Sequence, residues 1–250
     1  YIYGHIESTK GRLWVVGKDP YLFDYFLPER WEKTPKVKIS AFRQMYHTIT
    51  KDNIHLVWRA SRVGIIPDMD PFRDDEKTIL DYGYNSPFEE VALAIELSKK
   101  GINTIYPRAI YMTGVKTSVS DYIGDQSRYE SHKDIIMPDG EPLLNKGHDY
   151  IIIWGYWNGP DEKLAVYDGD YWEGIDLLRA YREKLVTQEM YMRLLEFAKE
   201  KLREKGVKDL NLRGNHLLVS VDSNHKLLVD KDGFPELSIC DFEHLKRIET

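Results

Sequence analysis

Apolar and polar positions recur along this chain with two different periods, and each change of period marks an element boundary. Val37 to Thr50 and Ile54 to Gly64 are β-rich runs separated by Lys51-Asp52-Asn53, a turn composition, which predicts a hairpin. In the second run Ile54, Leu56, Trp58 and Ala60 alternate with His55, Val57, Arg59 and Ser61, so Arg59 and Arg62 are expected on opposite faces. Ile65 to Tyr84 is acidic, holds two prolines and reads as a loop. A helix is predicted over 86–100. Ser86 is a natural N-cap, Pro87 suits the first helical position, and Glu89 completes a capping box. Phe88, Val91, Ala92 and Ile95 then recur at helical spacing, and Gly101 follows Lys99-Lys100 as a stop.

Thr104 to Met112 reads as a strand, and Lys116 to Gly147 as a polar, irregular insertion. Tyr150-Ile-Ile-Ile-Trp154 has the length and composition of a buried strand running into Gly155-Tyr156-Trp157-Asn158-Gly159-Pro160. Helical regions are predicted over Tyr171 to Leu185 and Thr187 to Lys205. In the second, Tyr191, Leu194, Leu195, Ala198 and Leu202 line one face. The helix should stop at Gly206. A loop rich in Asn, Asp, Arg and His follows, then two short apolar strands, then Asp241 after Leu237-Ser238-Ile239-Cys240. Polar ligands at the ends of buried strands are a common way to build a phosphoryl-transfer site.

Composition bounds these readings. At 250 residues, with 42% hydrophobic and 30% charged residues, the chain is an ordinary globular one. A net charge of −6 makes nucleic acid an unlikely main partner. One cysteine, Cys240, excludes an internal disulfide framework and fits a reducing compartment. No apolar run reaches membrane-spanning length, and the start has no signal-peptide pattern, so a cytoplasmic location is expected.

The order of elements, with Asp241-Phe242-Glu243 and Asn211-Leu-Arg-Gly-Asn-His-Leu-Leu-Val219, resembles the protein-kinase-like superfamily, including its small-molecule and lipopolysaccharide kinases. The first motif looks like that family's metal-binding Asp-Phe-Gly and the second like its catalytic loop. The resemblance implies an α+β, two-lobed protein-kinase-like fold. A β-rich N-terminal lobe would occupy residues 1–148 and a mainly helical C-terminal lobe residues 149–250. It implies a phosphotransferase using Mg-ATP on a small-molecule or glycan hydroxyl. In that scheme Asp241 and Asn215 hold magnesium, Asp209 or Asn211 stands at the catalytic base, and Arg59 or Arg62 with Glu90 orders the phosphates. Trp154 belongs to the hinge that meets an adenine ring.

Several residues depart from that pattern. Asn211 cannot accept a proton from a hydroxyl at neutral pH. His216 is a poor magnesium ligand. A second alignment makes Asp222 the base, and no alignment restores both base and metal ligand. Arginine stands where the family has lysine, and its fork is not equivalent to a point charge. The chain ends seven residues after Glu243, so it is either a fragment or has a minimal second lobe. Two further readings follow. One is a catalytically degenerate pseudokinase that binds a nucleotide or a partner. The other is a carbohydrate-binding or carbohydrate-hydrolysing protein, whose aromatic-rich surface would draw on 17 Tyr and 6 Trp.

Overall fold

The computed structural model describes residues 1–41, 43–114, 129–145, 147–157 and 173–248. The chain opens with strands β1 (Ile2–Ile6) and β2 (Gly11–Val15) and short helices α1 (Leu22–Tyr25) and α2 (Pro28–Trp31). Strands β3 (Lys36–Lys38), β4 (Met45–Ile49) and β5 (His55–Ala60) follow, then helices α3 (Asp74–Tyr82) and α4 (Pro87–Lys99). Strands β6 (Pro107–Met112) and β7 (Tyr150–Gly155) complete the main sheet. Beyond them come β8 (Glu173–Asp176), helices α5 (Leu177–Arg182) and α6 (Gln188–Glu204), β9 (Val207–Asp209), a 3-10 turn at Gly214–His216, β10 (Leu217–Val221), β11 (Ser238–Ile239) and β12 (Leu245–Arg247).

The main sheet has seven strands in the order β1-β2-β6-β7-β5-β4-β3, and every neighbouring pair is antiparallel. Strand side chains alternate between its two faces. Leu13, Val15, Leu56, Trp58, Ala109, Tyr111 and Ile153 meet Phe26 and Trp31 on one face. Trp14, Ile110, Met112, Ile152 and Trp154 meet Phe88, Val91 and Leu97 of α4 on the other. That second core runs on through Leu194, Ala198 and Leu202 of α6 to Val219 of β10, Phe242 and Leu245. Because both faces are covered, β7 reads as an unbroken apolar run rather than an alternating one.

The predicted hairpin forms, with Met45 opposite Arg59 and Ile49 opposite His55. Its turn is closed by Asn53 at φ 60°. The first run splits, because β3 pairs back onto β4 as a separate edge strand. The helix at 86–100 forms as α4, with Ser86 Oγ accepting the Glu89 N–H at 3.1 Å. The segment expected as a loop over Ile65–Tyr84 contains α3. Asp74, Asp75 and Glu76 fill its first turn, where carboxylates favour the helix dipole. The helical region expected from Tyr171 begins late. Residues 171–172 lie outside the described residues, 173–176 pair with β10 as β8, and Asp176 then caps α5 by accepting the Arg179 N–H at 2.8 Å. Residues 116–128 and 146 of the insertion expected at 116–147, and the exit of β7 from Asn158 to Pro160, also lie outside the described residues.

The expected two-lobed, protein-kinase-like architecture with a mainly helical second lobe is overturned. The described chain is sheet-rich, 27% strand and 26% helix, with six helices in all. From β7 onward the described residues hold two helices and six strands. The cause is local: past Tyr150 only α5 and α6 carry helical apolar spacing, and the rest is short β-branched runs punctuated by Gly, Asn and Asp. No helix among the described residues is long and apolar enough to cross a membrane.

Packing at the joint between sheet and α4 sets a stability prediction. Leu93→Ala, at a fully buried site, should cost about 2–5 kcal/mol. Met192→Ala, at a site 52% exposed on α6, should stay within about 0.5 kcal/mol. Urea denaturation of the two variants checks this, and equal losses would contradict the assigned core.

Candidate functional site

Three segments converge behind the main sheet. Strand β5 delivers Arg59 at its penultimate position, the first turn of α4 delivers Glu90, and the turn between β11 and β12 delivers Asp241, Phe242 and Glu243. The turn is held locally, because Asp241 Oδ1 accepts the Glu243 N–H at 3.0 Å. It is also tied to the start of α4. Asn85 Nδ2 donates to the carbonyls of Phe242 and Leu245, each at 2.8 Å, and its N–H donates to the Glu243 carbonyl at 2.8 Å.

The side chains form a buried chain of ion pairs. Arg59, 2% exposed, spans two carboxylates: Nη2 bonds Glu90, and Nη1 donates to Glu243 Oε1 at 2.6 Å. Arg62 Nη2 also bonds Glu243, with Nε at 3.2 Å from Oε1, while its guanidinium lies 4.1 Å from the Tyr84 ring centre. Arg59 and Arg62 were expected on opposite faces, yet they grip one carboxylate. Strand β5 ends at Ala60, so the alternation does not extend to Arg62. Arg43, from the connection between β3 and β4, donates through Nη1 to Asp241 Oδ2 at 2.5 Å and lies 3.3 Å from Glu243 Oε2. His216 sits between acids, with Nδ1 3.1 Å from Asp209 and Nε2 3.6 Å from Asp241.

These contacts decide the charges. Burial alone would raise the Asp241 pKa, but His216, Arg43 and Arg59 outweigh it and hold the carboxyl well below the usual range. Burial likewise opposes ionisation of Glu243, and Arg59 and Arg43 reverse the balance to lower its pKa. At Glu90 burial wins over the pull of Arg59 and lifts the carboxyl to about 8. Its Oε1 has no hydrogen-bond partner among the described residues. Burial lowers His216, but Asp241 and Asp209 more than compensate and raise it.

The structure joins Arg59, Arg62, Glu90 and Asp241 in one chain of ion pairs, with Asp209 reached through His216, while the Asn211 and Trp154 side chains make other contacts. The Asp209 side chain is 3% exposed and accepts the Asn211 N–H at 2.8 Å, so it organises the loop. Asn211 Oδ1 accepts from Arg213 Nε at 2.9 Å. Asn215 is exposed, and its carbonyl accepts from Cys240 Sγ at 3.6 Å. Trp154, expected to meet an adenine ring, is 1% exposed and stacked on Phe242, with ring centres 5.2 Å apart. Its ring faces are spent on the core.

A magnesium ion does not fit this set. Asp241 already faces a guanidinium and an imidazole, and Asn215 offers no buried oxygen beside it. Three contributors were missed from sequence. Glu243 had a signal, since an acid stood where the resembling motif has glycine. Arg43 and Asn85 had none, because their partners lie 198 and 157–160 residues away. No family model matches the chain, and neither does any curated protein.

Two outcomes follow. Arg59→Met should cost about 3–5 kcal/mol in chemical denaturation, because it strands Glu90 in the core, and adding Glu90→Leu should recover most of the loss. Acid should also weaken the fold. Asp241 and Glu243 have folded pKa values below their ordinary 3.8 and 4.5, so the unfolded chain binds more protons in acid. Their stabilisation is complete above those ordinary values and is lost as the pH falls through and below them. His216, whose pKa is raised, works the other way, contributing fully below 6.5 and less as the pH rises. Thermal melts from about pH 6 to about pH 3 should fall more steeply for the unmodified chain than for Asp241→Asn; parallel curves would refute the assignment.

Proposed function

We propose that this chain is a non-catalytic module that binds a nucleotide or a protein partner without transferring phosphate. One observation carries the reading: the carboxylate that a phosphotransferase would present to magnesium, Asp241, is neutralised inside the protein by Arg43 and His216. Positioning and electrostatics supply most of the catalysis in phosphoryl transfer. Here the charges that would position Mg-ATP are spent on one another. Arg59 is closed between Glu90 and Glu243, and Asp209 is buried in its own loop. A carbohydrate-cleaving role is less well supported, because it asks for two carboxyl groups facing an open cleft, and Asp241 and Glu243 both face arginines. A single cysteine and an acidic net charge fit a module of the reducing cytoplasm with no nucleic-acid partner.

A thermal-shift screen with ATP, GTP and ADP, with and without magnesium or manganese, tests the reading alongside an assay of ATP turnover. No turnover is expected, and any nucleotide shift should be independent of metal and unchanged by Asp209→Ala. Metal-dependent turnover that disappears in Asp241→Ala would restore the phosphotransferase reading.

A further inference from the structure

We infer that the open edge of β3 takes up an extended, acidic segment of a partner protein as an added strand of the main sheet. The inference goes beyond the reading above, because none of the groups involved belongs to the buried chain of ion pairs. Strand β3 is the last in the sheet order, and among the described residues no strand lies beyond it. All three of its residues are exposed. The Ile39 N–H donates to the Met45 carbonyl at 3.0 Å, so Ile39 and Met45 form a pair whose backbone groups face each other. Two residues back the same holds for Val37 opposite His47. Lys36 and Lys38, opposite Thr48 and Tyr46, therefore turn their N–H and C=O groups outward. Outward donors and acceptors on an exposed strand are the template that strand addition uses.

The side chains decide what can be added. From Lys33 to Lys51 the chain holds five Lys and Arg and no Asp or Glu, although its net charge is −6. Of these, Arg43 is closed on Asp241 and Glu243. Lys33, Lys36 and Lys38 are exposed and have no carboxylate partner among the described residues. Lys36 is held over the rings of the neighbouring strands, with Nζ 5.0 Å from the Tyr46 ring centre and 4.9 Å from that of Trp58. Val37 and Ile39, 64% and 48% exposed, lie on the opposite face. An added strand thus meets positive charge at alternate positions on one face and apolar surface on the other, which fits alternating acidic and apolar residues. Lysines on a sheet edge guard against indiscriminate pairing. Here they also select, because a second copy pairing β3 with β3 would set lysine against lysine, and like charges directly opposite destabilise a ladder.

The probe is a fluorescein-labelled peptide of alternating Glu and Val, titrated with the unmodified chain and read by fluorescence anisotropy. It should bind, more weakly as salt rises, and binding should protect the Lys36 and Lys38 amides from hydrogen exchange. Lys36→Glu combined with Lys38→Glu should weaken binding about tenfold or more; both sites are exposed, so the melting temperature should hold. A peptide of alternating Lys and Val should not bind. A copy of the acidic peptide N-methylated at its Glu residues keeps its charge but loses the amides that would meet the edge, and it should lose binding too. Equal affinity for the N-methylated copy would mean attraction by charge alone and would overturn the inference, as would protection of other amides with none at β3. A chain that self-associates with its Lys36 and Lys38 amides already protected would overturn it in favour of a second copy. No binding of the acidic peptide to the unmodified chain also overturns it, and leaves the nucleotide branch of the binding-module reading standing.

Discussion

The interaction on which the rest depends is the buried guanidinium of Arg59 between Glu90 and Glu243. Burying one arginine with one carboxylate rarely repays the loss of water. A second carboxylate, Glu243, which also meets Arg62 and Arg43, changes that balance, because it has more than one donor. The arrangement joins strand β5, helix α4 and the 241–243 turn, which are also connected through apolar packing around Phe242 and Trp154 and through the Asn85 hydrogen bonds. Apolar packing tolerates small slides; a charge-assisted pair in a dry interior does not. The pairs therefore set how these three elements align, and the hydrophobic contacts supply the bulk of the stability.

The tail acts as a strap over the start of α4. Asn85 reaches the backbone of 242–245, and Tyr82 OH donates to both Asn85 Oδ1 and the Leu245 carbonyl. At the other end of the strap Arg247 pairs with Glu89 and Glu96 of α4. Glu89 has a full local role in sequence terms, as the closing residue of a capping box, at the third helical position. In the structure its carboxylate accepts from Ser131 N and Oγ as well as pairing with Arg247. A residue that a local rule fully explains can thus still serve a distant contact.

Legibility in the sequence followed the range of the interactions. The β4–β5 hairpin, α4 with its cap, β7 and α6 with its stop at Gly206 (φ 77°) were all readable, because turn chemistry, capping and periodicity act within a few residues. Helix α3 was hidden because its first turn is acidic and its apolar content small, so the prolines before it dominated the reading. Strand β8 was hidden because Glu-Gly-Ile-Asp has no strand signature until β10 pairs with it. At the site, Asp241 and Glu90 were named from a motif and a helix position, whereas Arg43 and Asn85 became visible only through long-range contacts. Trp154 was named for the wrong purpose: a hinge tryptophan and a core tryptophan look alike until the ring's neighbours are known. The global architecture was misjudged for a related reason, since short strands that close onto distant partners leave little trace in local periodicity.

The sequence separation of the central pair bears on how the chain is made. Arg59 meets Glu243 across 184 residues. A ribosome releases the first half of the protein long before the carboxylate that completes its ion pair exists. Until then Arg59 lacks one of the two carboxylates that flank it in the finished fold, and of those two only Glu90 has been made. Loops of that length close late and slowly, so the nascent chain should dwell in a state with its sheet formed and its polar centre wet. Such a state exposes strand edges and apolar faces to neighbours. Expression yield should therefore depend on chaperone supply and temperature more than the stability of the finished protein would suggest.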